Sequence, residues 1–96
     1  MNIEQFIQQD FQRIKNYPLA LQALWYDYQD DWHKSHKTID FASDRESAWV
    51  HAYLHRKEGD LGNARYWYQR SGKPESKLSL TEERQQIAQS LLTQIL

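Results

Sequence analysis

Apolar residues recur along this chain at three- and four-residue steps rather than at every second position, and that beat predicts helices from end to end. Ile3, Phe6, Ile7, Phe11 and Ile14 form one stripe, closed by Pro18 because the residue before a proline is pushed out of the α region. Leu21, Leu24, Trp25 and Tyr28 form a second, with Pro18 suited to its first turn. Asp30 and Asp31 offer the cap of a third, short helix carrying Trp32, Ser35 and Ile39 and reaching toward Ala42. Ser43 and Asp44 cap a fourth, with Trp49, Val50, Tyr53 and Leu54 inward. Gly59 is placed to end it in a left-handed conformation. Asp60 caps a fifth, which presents Leu61, Ala64, Tyr68 and Ser71. A linker-like stretch at 72–77 precedes a last helix over 81–95, with Ile87, Ala88, Leu91, Leu92 and Ile95 on one side and acids in its first turn. The expectation is an all-α fold of about six helices in a single domain spanning residues 1–96.

The pattern repeats. At an offset of about 29 residues, Asp31, Trp32, Ser35, Ile39 and Ala42 fall on Asp60, Leu61, Ala64, Tyr68 and Ser71. Leu21, Leu24 and Trp25 likewise fall on Val50, Tyr53 and Leu54. Small residues at matched positions let paired helices approach closely, and larger ones fill the groove between pairs. Gly59, Asp60, Leu61 and Ala64 give this unit a likeness to the tetratricopeptide class of helical hairpins, whose second helix often reads Gly-Asp-aromatic-x-x-Ala. The resemblance covers residues 18–72, as antiparallel hairpins at 18–43 and 44–72. The offset is shorter than the usual repeat of about 34, and two units fall below the three or so that a free array needs, so the terminal helices are expected to act as caps.

A narrower resemblance rests on Trp32, Ser35 and His36, followed by Trp49, His51, Ala52, Leu54, His55, Arg56, Glu58, Gly59, Asp60, Asn63, Ala64, Tyr66, Trp67 and Tyr68. This string, with its HAxLHRxEGDxxNAxYWY core, resembles a family of small uncharacterised bacterial helical proteins. The resemblance implies a fold and a set of site residues, but no reaction.

Composition narrows the function classes. A formal charge of -1, with acids and bases interleaved, gives no footprint for nucleic acid; Arg56 and Lys57, followed at once by Glu58, read as solvated surface. The sequence contains no cysteine, which excludes disulfides, thiolate metal sites and a Cys nucleophile. No run approaches the roughly 18 apolar residues of a membrane span. Residues 1–6 lack the basic and apolar segments of a secretory signal, so a cytoplasmic location is expected. Aromatics make up 14% of the chain, and tyrosine hydroxyls and tryptophan N–H groups are expected at the core edge, where water or a partner satisfies them.

The candidate chemistry lies in the second hairpin. His51, His55 and Glu58 share one side of the fourth helix, and His36 on the third is placed to join them. Two histidines one turn apart can hold a metal ion if other ligands complete the shell, so His36, His51 and His55 are metal candidates. Against this stands the plainer reading, histidines at the core edge bonded to Glu58, Asp60 or backbone. Position 52 is Ala, so the His-Glu-x-x-His arrangement of zinc hydrolases is missing its base. Tyr66, Trp67 and Tyr68 span most of a helix circumference; Tyr68 is expected inward, with Tyr66 and Trp67 either at a rim or beneath the last helix. Asn63 either braces the Gly59 turn or faces a groove. The expected function is a non-enzymatic module without a cofactor, binding a protein or small ligand in a groove lined by His36, His51, His55, Glu58, Asn63 and Trp67. The alternative is a metal-dependent or histidine-based enzyme using the same residues. The apolar side formed by Ile87, Leu91 and Ile95 raises the further expectation of a homodimer through the terminal helices.

Overall fold

Asp31, Asp44 and Asp60 each turn the chain into a helix by accepting the backbone N–H three residues on, from Lys34, Ser47 and Asn63. Asn2 and Ser79 do the same with a reciprocal bond from Gln5 and Glu82, closing a capping box at either end of the chain. The computed structural model describes residues 1–95. Among them are seven helices and no strand: α1 (Ile3–Gln8), α2 (Phe11–Ile14), α3 (Leu19–Tyr28), α4 (Trp32–Ile39), α5 (Arg45–Glu58), α6 (Leu61–Ser71) and α7 (Leu80–Gln94). None is long and apolar enough to cross a membrane.

The hairpins α3–α4 and α5–α6 close through the same turn, 29 residues apart. In the first, Asp30 N–H donates to Asp27 O and Asp31 N–H to Tyr26 O; in the second, Gly59 N–H donates to Arg56 O and Asp60 N–H to His55 O. Asp30 and Gly59 occupy the same left-handed conformation, with φ of 61° and 89°. Only glycine enters that region without a Cβ penalty, so the first turn carries strain that the second does not. Trp32, at the start of α4, ties one hairpin to the other by donating its Nε1–H to Leu54 O of α5 at 2.9 Å.

Helix α5 is the centre of the molecule. Its residues from Ser47 to His55 are all buried, and α3, α4, α6 and α7 pack around it. Such all-round burial is what an amphipathic stripe cannot predict. Ile87, Ala88, Leu91 and Leu92 of α7 are buried within the chain, where α7 packs on α1, α3 and α5. The apolar side that motivated a dimer is thus covered internally, apart from Ile95.

Two carboxylates lie wholly inside this core. Asp27 on α3 accepts from Tyr53 Oη at 2.7 Å, Lys57 Nζ at 2.9 Å and Arg84 Nη1 at 3.2 Å. Glu83 on α7 accepts from Arg56 Nη1 at 2.8 Å and from the hydroxyl of Tyr68 on α6. Arg56 also donates to Leu78 O. Buried charges persist only when paired and hydrogen-bonded, and both of these are. Burial, reinforced by the adjoining carboxylate, pushes the Tyr53 and Tyr68 hydroxyls above their ordinary range, so both stay protonated donors.

Three expectations are corrected. The first helix is two: Gln9 turns extended and Asp10 caps α2 by accepting from Arg13 N–H, which leaves Phe11 partly exposed against Trp25 and Tyr26. Arg56 and Lys57 keep partial contact with solvent, but they are more than a surface patch, since each bridges to one of the two interior carboxylates. The hydroxyls of Tyr53 and Tyr68 find those carboxylates inside the core rather than water at its edge.

Replacing Asp30 with Gly is expected to stabilise the fold by about 1 kcal/mol, raising the melting temperature by roughly 4–8 °C. Asp27→Ala leaves Lys57, Arg84 and the Tyr53 hydroxyl without their common acceptor and is expected to cost about 3–5 kcal/mol in denaturant unfolding. A loss below about 1 kcal/mol, typical of an exposed pair, would refute the buried role of this carboxylate.

Candidate functional site

The side of α5 opposite Tyr53, Arg56 and Lys57 carries His51 and His55, since about 100° per residue sets these two groups on opposing faces. From α4 come Trp32 and His36, one turn apart, and from α6 comes Trp67. The five rings form two stacks that meet edge to face. In one, Trp32 lies parallel to His36, with centroids 5.0 Å apart and planes at 7°. In the other, His51 is layered between Trp67 at 3.8 Å and 13° and His55 at 4.8 Å and 23°. His36 meets His51 at 86° and His55 at 74°.

Where the stacks cross, the ring nitrogens converge. His36 Nε2 and His51 Nε2 are 3.0 Å apart, so one carries the hydrogen and the other the lone pair. His55 Nδ1 is 2.6 Å from Glu58 Oε2. A carboxylate only accepts, so Nδ1 carries the hydrogen, and in the neutral ring the lone pair sits on Nε2. One nitrogen from each of His36, His51 and His55 lies within 4.8 Å of the other two. His51 and His55 are buried and His36 half-buried, with Glu58 at the rim. Burial, and then the fields of His36 and His55, push His51 down to about 3, so its ring is neutral at pH 7.

Of the residues singled out from the sequence, the structure brings together His36, His51, His55, Glu58 and Trp67. Asn63 stands apart: it is exposed in the first turn of α6, and its backbone N–H is taken by Asp60. Tyr68 is inward, as the repeat predicts. Tyr66 is half-exposed beside Arg70, and Trp67 packs on His51 rather than beneath α7. The expected groove is filled by the rings themselves. Trp32, which the family resemblance includes but the expected binding groove omits, also belongs to the cluster; its four-residue spacing from His36 on a short helix is the available signal.

Comparison with known proteins finds no matching family model, no matching curated protein and no matching solved structure.

Because the folded pKa of His51 lies below the unfolded value of 6.5, the unfolded chain takes up its proton first as pH falls. The stability tied to a neutral His51 is complete above pH 6.5 and is lost between pH 6.5 and about 3. In chelator-containing buffer, the drop from pH 7 to pH 5 is expected to cost about 2 kcal/mol, at 1.36 kcal/mol per unit. The His51→Gln variant should lack that share, and parallel melting curves for the two proteins across this range would disprove a neutral buried His51.

Proposed function

We propose that this protein is a non-enzymatic binding module whose small ligand is held by the imidazole cluster of His36, His51 and His55. The observation that carries the reading is the convergence of three imidazoles from two hairpins in the interior of a small domain. A core needs volume, and apolar side chains supply it without desolvating three polar rings. Where local chemistry runs against packing in this way, a site is the usual reason. The neighbouring groups support binding over turnover. Trp32 and Trp67 hold the rings flat, Glu58 orients His55, and the hydroxyl of Ser35 on α4 is occupied by Ala23 O at 2.6 Å, which removes it as a nucleophile.

The tetratricopeptide-like organisation belongs to the same reading. Its support is the recurrence, at a 29-residue offset, of the left-handed turn residue (Asp30, Gly59), the capping aspartate (Asp31, Asp60) and the small contact residue (Ser35, Ala64). Stacked in this way, the two hairpins bring His36 of one against His51 and His55 of the other.

If the rings serve a ligand rather than the fold, apolar replacements should be tolerated. The double variant His36→Leu/His51→Phe removes both partners of the Nε2 contact and keeps a flat ring on Trp67. Its melting temperature is expected to equal or exceed that of the parent. A loss of more than about 2 kcal/mol, the scale of a structural buried polar contact, would sink the reading.

A further inference from the structure

We infer that His36, His51 and His55 are the protein ligands of a divalent first-row transition-metal ion. The inference deepens the binding reading above and rests on it.

The donor set selects the class of ion. Three imidazole nitrogens without thiolates suit borderline ions such as zinc, nickel and copper, not the oxygen-seeking calcium or magnesium. Three protein ligands with a fourth position left to water is a familiar zinc shell. His36 is the half-buried member, so the open position lies on its side, toward solvent.

The geometry is close to what such an ion requires. At zinc–nitrogen distances of about 2.0–2.1 Å, tetrahedral ligand atoms sit roughly 3.3 Å apart. His36 Nε2 and His51 Nε2 stand at 3.0 Å, so a few tenths of an ångström of opening admits the ion between them. The third nitrogen, from His55, lies within 4.8 Å of both, and closing the shell requires His55 to move together with its Glu58 partner one turn along the same helix. One ring of the His36–His51 pair must move its hydrogen from Nε2 to Nδ1, exposing a second lone pair without net proton loss.

Glu58 completes the case. A ligating histidine typically donates its remote N–H to a carboxylate, which fixes the tautomer and makes the coordinating nitrogen more basic. His55 does this with Glu58 at 2.6 Å. His51 and His36 are backed by flat indole rings, Trp67 and Trp32, that set ring orientation by stacking. Glu58 acts through His55 and is a positioning residue.

The test is calorimetric titration of zinc chloride into full-length, chelator-stripped protein at pH 7.5. The expected result is one saturable site per chain with micromolar or tighter affinity. His36→Ala, chosen because its side chain is half-exposed, should weaken binding at least 100-fold, with circular dichroism confirming an intact fold. Glu58→Gln should weaken it about 10–100-fold. His33, exposed, edge-on to Trp32 and outside the three-imidazole group, gives the control: His33→Ala should bind as the parent does. Absence of a one-to-one zinc site, or binding undiminished in His36→Ala, overturns the inference. The two readings fail separately. A parent protein that binds no zinc, beside a His36→Leu/His51→Phe variant that folds as stably as the parent, leaves a site with a different ligand, whereas a destabilised variant removes the site itself.

Discussion

Two negative charges in the interior set the arrangement of this molecule. Asp27 and Glu83 are fully buried, and each survives there only because cations and tyrosine hydroxyls arrive from other helices. Successive residues of α5 serve the two carboxylates: Arg56 reaches to Glu83 on α7 and Lys57 to Asp27 on α3. Arg84 of α7 returns to Asp27, and Tyr68 of α6 to Glu83. Four helices are therefore joined by side chains that must all be in register at once. Rotating α5 by even one residue would strand both cations. Hydrophobic burial supplies the driving force for collapse but is non-directional; the charge network supplies the direction.

That direction is what places the imidazoles. With Tyr53, Arg56 and Lys57 held on one side of α5, His51 and His55 are held on the other, against α4 and α6. Trp32 adds a second constraint by reaching across the hairpin boundary to Leu54 O. The rings meet because their backbones have no freedom to move apart, and stacking then adds roughly 0.5–1.5 kcal/mol per well-placed aromatic pair.

Much of this was legible in the sequence, and the reasons differ from element to element. The hairpins could be read because their signals are local: Asp31 and Asp60 as caps, Gly59 as a left-handed stop, and a period that recurs after 29 residues. The meeting of His36 with His51 and His55 followed from pairing the repeats. The break between α1 and α2 was hidden because Ile3, Phe6, Phe11 and Ile14 keep helical spacing across Gln9 and Asp10, and only the cap geometry of Asp10 reveals it. The interior network escaped for a different reason. Composition averages charge over the chain, whereas Asp27 sits on the apolar stripe of Leu24 and Tyr28, and Glu83 lies one turn before Ile87. An acid on an apolar stripe, with bases at Arg56 and Lys57 on another, was the available clue. Ring stacking was beyond sequence reasoning altogether, since it depends on rotamers fixed only by packing.

The imidazole cluster lies on the seam between hairpins. His36 belongs to the first unit, and His51, His55 and Trp67 to the second. Neither hairpin, folded alone, would contain the three-imidazole cluster; it comes into being when one docks on the other. The cluster is for that reason a property of the assembled tertiary state: any parting of the two halves of the chain separates His36 from His51 and His55.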